Sequence, residues 1–471
     1  MGRNPTHRRA MRLAGLSAGL AGLAALACGN ARPADVILVT VDTLRRDHLS
    51  CYGYARDTSP HVDRLAEDGM LFANAVVPRP LTSPSVASAL TGLYTHRHGV
   101  RNNFMQLHDS VTRLPELLGA HGYQTAAFVS NAVLVASISN LQRGFDVYDD
   151  FLPDRELNRE LYERNAAATV ESALGWLDVR DERPFFLWVH LIDPHGPYDP
   201  PRAYATRFRS PPSTLLSRDQ IPTYQYLRSL DYGFYVDRYD GEIAYADEMI
   251  GRLLDGLRER DLYRDGLIVF HADHGEALGE NGFYFMHGQD LHAASVDIPL
   301  VMKLPARRGA AFTGRTDVLA SVTDLLPTIL DALDLPIPED LDGESLLRAV
   351  ARGRRNAPAV LLERVGALGL APPQVGLRTQ TEKLIYDLRK GEPFAVETKR
   401  FFQVDRDPEE RRDAYAPDDP RVRALDAELS GWLERLADFE LPFEPVDKHP
   451  PGRPGQDPQE LRALRALGYL E

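Results

Sequence analysis

Short unbroken apolar runs, rich in β-branched residues, alternate along the chain with stretches whose apolar positions follow a helical period. Asp35 to Val41 (DVILVTV), Thr125 to Ser130 (TAAFVS), Pro184 to Ile192 (PFFLWVHLI), Gly266 to Ala272 (GLIVFHA) and Pro299 to Leu304 read as buried strands. Leu71 to Val77 is a further strand-like piece. His61 to Gly69 is helical, and Tyr239 to Leu257 sets Ile243, Ala246, Ile250, Leu253, Leu254 and Leu257 on one helix face. The alternation predicts an α/β fold, a mostly parallel sheet sandwiched by helices. After about residue 355 the texture changes. Short strands over 359–364, 375–378, 383–386 and 400–404 precede a helix over 422–436, which predicts a small antiparallel sheet plus helix. The expected division is a leader over 1–27, a catalytic domain over 35–350 and a C-terminal subdomain over 355–471. Segment 199–236, rich in Pro, Arg, Ser and Tyr, reads as an insertion loop near the mouth of a site.

The first residues follow a different rule. Arg3, Arg8, Arg9 and Arg12 precede an apolar run from Leu13 to Ala27, which fits a signal sequence and falls short of the ~20 residues of a membrane span. Ala25-Leu26-Ala27-Cys28 resembles a lipoprotein signal in which Cys28 is acylated, with Ala25 where such signals usually carry Leu. The chain is therefore expected to be exported and held on the periplasmic or cell-surface side, its acyl anchor in the lipid bilayer. Cys51 is then left without an intrachain disulfide partner and is expected to be a small buried residue. With 471 residues, 44% of them hydrophobic, the chain can bury a large core, and its net charge is −14. That acidity argues against nucleic-acid binding, and an anionic substrate would need a local cation, most simply a metal ion.

In open α/β sheets, functional groups gather where strands end. Asp42 follows the first strand at once, and Asp273 and His274 follow strand 266–272. His190, Asp193 and His195 cluster at the end of strand 184–192. Thr82 lies just before a helix that ends Leu90-Thr91-Gly92, and a helix N-terminus suits a transferred phosphate or sulfate. Carboxylates and imidazoles converging at such an edge make a divalent-metal site. Each has a plainer reading alone: Asp42 can cap a turn, and His190 and His271, inside strands, read as satisfied core histidines.

These residues also carry a resemblance. Asp35 through Asp42-Thr43 to Gly53, Pro84-Ser85-x4-Leu90-Thr91-Gly92, Tyr239-Asp240 through Gly251, and Asp273-His274-Gly275-Glu276 with His287-Gly288 resemble, in order, the motifs of sulfatases in the alkaline phosphatase superfamily. Leu341-Asp342-Gly343, Asp405 to Glu409 and the closing Leu464 to Leu470 are similar to it as well. Three positions depart from the family pattern. Thr82 stands where sulfatases carry the Cys or Ser oxidised to formylglycine, Val86 where they carry an Arg, and Thr43 where they carry a second metal-binding Asp. A threonine there is similar to the nucleophile of phosphodiesterases of the same superfamily, whose Asn after the motif Pro is here Ser85.

The resemblance implies one divalent metal (Zn, Mn, Ca or Mg, with Zn or Mn suited best) bound by Asp42, Thr82, Asp273 and His274. It implies His195 on the transferred oxyanion and His287 at the leaving group. If a second metal binds, Asp193, His195 and His287 are its candidate ligands. Ser85, His98 and Asn102 or Asn103 are expected to contact substrate, and backbone N–H groups, Ser85 and the metal to stabilise the oxyanion. The leading expectation is a hydrolase that cleaves phosphate esters through a metal-activated Thr82. The alternatives are a true sulfuric ester hydrolase and a non-catalytic binding protein on the same fold.

Overall fold

In the computed structural model, which describes residues 32–447 apart from 160, 310–311, 366–371, 391, 393, 443 and 445, the main body is built on an eight-stranded sheet. Its order is Gly314–Thr316, Met70–Phe72, Leu300–Lys303, Leu267–Ala272, Val36–Val41, Phe185–Leu191, Gln124–Phe128 and Val147–Asp149. The strands from Leu267–Ala272 to Val147–Asp149 run parallel. Leu300–Lys303 runs antiparallel to both neighbours. Val36–Val41, Phe185–Leu191 and Leu267–Ala272 are buried at every position, which is why their sequences are near-continuous apolar runs, broken only by Thr40, His190 and His271, instead of alternating.

The expected strands are present, with one division. Met70–Phe72 joins the main sheet, whereas Ala75–Val76 pairs with Asp297–Ile298 and Ala320–Ser321 in a separate sheet. Asn74, at the break, donates its amide to the Asp317 carbonyl. The long helix spans Tyr232–Glu259, starting earlier than its apolar stripe because Asp231 caps it by accepting from Gly233 N–H. The last part of the chain forms the antiparallel sheet Val360–Arg364, Gln374–Arg378, Glu382–Leu388 and Val396–Gln403. Helix Pro420–Asp438 packs on its middle strands through Val422, Leu425, Leu429, Leu433 and Leu436.

Among the described residues, no helix is long and apolar enough to cross a membrane. The leader, Cys28 and the motif Leu464 to Leu470 lie outside the described residues. Cys51 is a free thiol and only partly buried.

Register places the site. Thr40 stands opposite both His190 and His271, and Val41 opposite Leu191 and Ala272. Asp42 N–H donates to the Leu191 carbonyl (2.9 Å) and Asp273 N–H to the Val41 carbonyl (3.2 Å), so the two aspartates leave the sheet side by side.

Candidate active site

Asp42, Asp273 and His274, all buried, each offer one ligand atom within 4.8 Å of the others. The His274 Nδ1–H donates to its neighbour's carbonyl, Gly275 O (2.9 Å), which leaves the Nε2 lone pair facing the cluster. That nitrogen lies 3.7 Å from Asp42 Oδ1, 3.8 Å from Asp273 Oδ2 and 3.4 Å from Thr82 Oγ1. Thr82 is the first residue of the helix Thr82–Thr91. The four residues expected to hold a metal are therefore together.

Two further side chains complete this wall. Asn131 donates its amide to Asp42 Oδ2 (2.7 Å). His190 is not a satisfied core residue. Ser130 Oγ donates to the His190 carbonyl (2.7 Å), so it accepts from Nδ1–H (3.0 Å) and directs Nε2 at Asp42 Oδ2 and Asp273 Oδ2, 3.9 Å from each. His271 does match its core reading, with Thr40 Oγ1 at 3.0 Å and the Ala272 carbonyl at 2.8 Å.

Asp42 Oδ1, Asp273 Oδ2 and His190 Nε2 are buried without a hydrogen-bond partner. Each such atom costs roughly 1–3 kcal/mol unless something satisfies it. Burial, with Asp273 beside it, pushes the Asp42 carboxyl well above its ordinary range. Burial opposes ionisation of Asp273 too, but His274 and His190 outweigh it and hold that carboxyl below its usual value. A divalent cation among these groups satisfies the orphaned atoms and lets both carboxylates ionise, so the donor set fits such an ion. Thr43 adds a buried hydroxyl without a partner, at a φ of +54°, a costly conformation for a β-branched residue. Its N–H donates to Asp273 Oδ1 (3.2 Å) and its carbonyl accepts from Tyr239 OH (2.6 Å), which hold it there.

His287 and His195 stand beside the cluster. The His287 ring lies 4.5 Å from that of His274 and 5.2 Å from that of His195. Burial lowers His287 to about 4 and raises its neighbour Glu276 to about 8. Their Nδ1 and Oε2 atoms are 3.3 Å apart. Burial, with the Arg159 guanidinium next to it, holds His195 well below the usual imidazole value.

Other expected site residues lie elsewhere. His98 contacts Ser88 Oγ (3.0 Å) and accepts from Val100 N–H (3.1 Å), so it braces the turn after the Thr82 helix and has no nitrogen left for substrate. Asn102 accepts from Arg79 (3.1 Å), whereas Asn103 accepts from Ser83 N–H (3.0 Å) at the head of that helix. Asp193 accepts from Ala166 N–H (2.8 Å) at the head of a different helix and is not among the clustered ligand atoms of Asp42, Asp273 and His274. The Thr82 helix also offers less to an anion than its position suggests. Ser83 N–H is taken by Asn103, Pro84 has none, and Ser85 N–H donates to the Leu81 carbonyl (3.0 Å). Ser85 Oγ is buried without a partner.

Asn131, Glu276 and Arg159 escape sequence reading because their roles depend on contacts far apart in the chain. Glu276 alone left a trace, its place in the Asp273-His274-Gly275-Glu276 motif.

The sulfatase family model matches residues 34–335. The chain is 26% identical over 335 residues to an ulvan-active sulfatase of Formosa agariphila, covering 66% of this chain and 64% of that protein, so it spans just under two thirds of that relative's length. It is 25% identical to the multifunctional alkaline phosphatase superfamily protein PehA of Trinickia caryophylli, over 68% of this chain and 77% of that one. The fold matches a solved structure held in complex with its substrate D-glucosamine-2-N,6-O-disulfate (TM-score 0.72, 21% identity, 89% of this chain and 100% of that one).

Proposed function

Because the chain belongs to the sulfatase family, we propose that it is a metal-dependent hydrolase of sulfate esters acting at the Asp42, Thr82, Asp273 and His274 pocket. The observation that carries this reading is the convergence of two carboxylates and an imidazole beside the Thr82 hydroxyl, in a pocket whose orphaned atoms face one another. Asp42, Asp273, His274 and Thr82 Oγ1 would hold a divalent ion (Zn, Mn, Ca or Mg), whose positive charge would lower the hydroxyl's proton affinity and offset the anion. The chain's own residues do the rest. Thr82 Oγ1, oriented by its place at the head of a buried helix, gives up its proton to water and bonds to sulfur as the bond from sulfur to the departing oxygen breaks; a water then attacks that sulfur, frees sulfate and returns a proton to Oγ1. His195 donates to the ester oxyanion. Glu276 holds a proton at neutral pH and His287, beside it, passes one to the departing oxygen. We further propose, from the leader's composition, that the enzyme is exported and anchored through an acylated Cys28.

A second reading, phosphoester cleavage, is favoured by Thr82 and Val86. An unoxidised threonine has no aldehyde hydrate from which to expel sulfate, so only water attack at sulfur can free it, whereas water attack at phosphorus is the ordinary way a phosphothreonine is opened. Rates on 4-nitrophenyl sulfate, 4-nitrophenyl phosphate and bis(4-nitrophenyl) phosphate, with each of the four ions, separate the two. Faster sulfate turnover supports the first reading and faster phosphate turnover the second. No turnover on any ester with any ion rejects both and leaves a binding protein.

A further inference from the structure

The hairpin of Asp154–Arg155 and Tyr162–Glu163 carries Arg159 near its tip. Leu157 and Tyr162 on the same hairpin are 60% and 55% exposed, yet the Arg159 side chain is 3% exposed. Its Nε and Nη2 donate to the Glu156 carboxylate, and Nη2 also donates to the Gly196 carbonyl (2.8 Å). The guanidinium lies 4.6 Å over the Tyr224 ring, contributed by the insertion loop, and Nη2 is 3.4 Å from His195 Nδ1. One edge is thus fully pinned. Nη1 has no partner among the described residues. The charge is also close enough to act on Asp42, Glu276, His195 and His287.

Charge balance says what that edge is for. Asp42 and Asp273 together offset a divalent ion, so an ester anion entering the pocket meets no surplus of fixed positive charge from that set. Val86 adds no cation, and most N–H groups of the first helical turn are already bonded. A guanidinium carries permanent charge, and the Nη1 left unpinned keeps its two N–H donors for an oxyanion. We propose that Arg159 is a substrate-binding residue, its Nη1 edge donating to the charged oxyanion of the ester beside His195. This rests on the hydrolase reading above.

The test is calorimetric titration of the metal-loaded full chain with inorganic sulfate and inorganic phosphate, run beside ester turnover and thermal melts. Arg159→Gln is expected to weaken oxyanion binding at least tenfold and Arg159→Lys to restore part of it, with KM rising more than kcat falls. Glu156→Gln breaks the same clamp but removes a negative charge, so it is expected to bind oxyanions no more weakly than the wild type. A purely structural Arg159 would make Glu156→Gln lose as much as Arg159→Gln, and that result overturns the proposal. So does unchanged oxyanion binding in both Arg159 variants, or no oxyanion binding by the wild type. Wild-type oxyanion binding that depends on Arg159, without turnover of any ester, would sink the hydrolase reading and leave the assignment of Arg159 standing.

Discussion

A threonine hydroxyl is a weak nucleophile in water, and the proposed reaction requires the groups around Thr82 to make it a stronger one. His274 Nε2 and the orphaned oxygens of Asp42 and Asp273 lie where a cation would sit against Oγ1. Asn131 orients Asp42 from behind, in the way outer hydrogen bonds tune metal ligands. Asn131→Ala is therefore expected to weaken metal binding about 10–100-fold, measured by metal titration; an unchanged affinity would contradict this role. The clustering of Asp42, Asp273 and His274 was legible because they follow directly on recognisable strands. His98, whose two ring nitrogens are taken up by Ser88 and Val100, was misplaced because proximity in sequence to Thr82 does not fix where a turn's side chains point. His190 was hidden by its own strand, since a buried histidine facing a site and one facing the core look alike in sequence.

At the scale of elements, central strands were legible because burial on both faces leaves continuous apolar runs. Boundaries set by side-chain contacts, such as the Asp231 cap and the break at Asn74, were not. Gly275 shows how closely packed the loop after Leu267–Ala272 is: a Cβ there would sit 2.1 Å from the Ala294 carbonyl oxygen. Gly275→Ala is expected to destabilise the fold by about 1–3 kcal/mol and to displace His274, read as a lower melting temperature together with weaker metal binding. The C-terminal sheet is tied to the loop after His287 by a buried network. Lys383 pairs with Glu410, Lys383 donates to the Leu291 carbonyl (3.1 Å), and His292 lies 2.8 Å from Glu410. Burial works against the Glu410 charge, but Lys383 and His292 outweigh it and hold the carboxyl at about 2. A depressed carboxyl contributes stability above its unfolded value of 4.5 and loses it as pH falls toward about 2. Glu410→Gln leaves Lys383 buried without its counter-charge, so a loss of about 3–5 kcal/mol is expected. Denaturant unfolding at pH 7 and pH 3 checks this, since the variant's deficit should shrink at the lower pH.

For the whole molecule, a net charge of −14 offers an anionic ester no general attraction, which is why the proposed function places a cation at the site. The expected anchor is tested apart from the chemistry: Cys28→Ala should move the protein from the membrane to the soluble fraction, and unchanged fractionation would reject acylation. The most direct test of the central claim is turnover of the favoured aryl ester by wild type, Thr82→Ala and Asp273→Ala, each with its metal content measured. A metal-dependent Thr82 nucleophile predicts activity in the wild type that chelation abolishes, Thr82→Ala that is inactive with its metal retained, and Asp273→Ala that has lost both. Undiminished turnover by Thr82→Ala, or by the metal-stripped wild type, would contradict it.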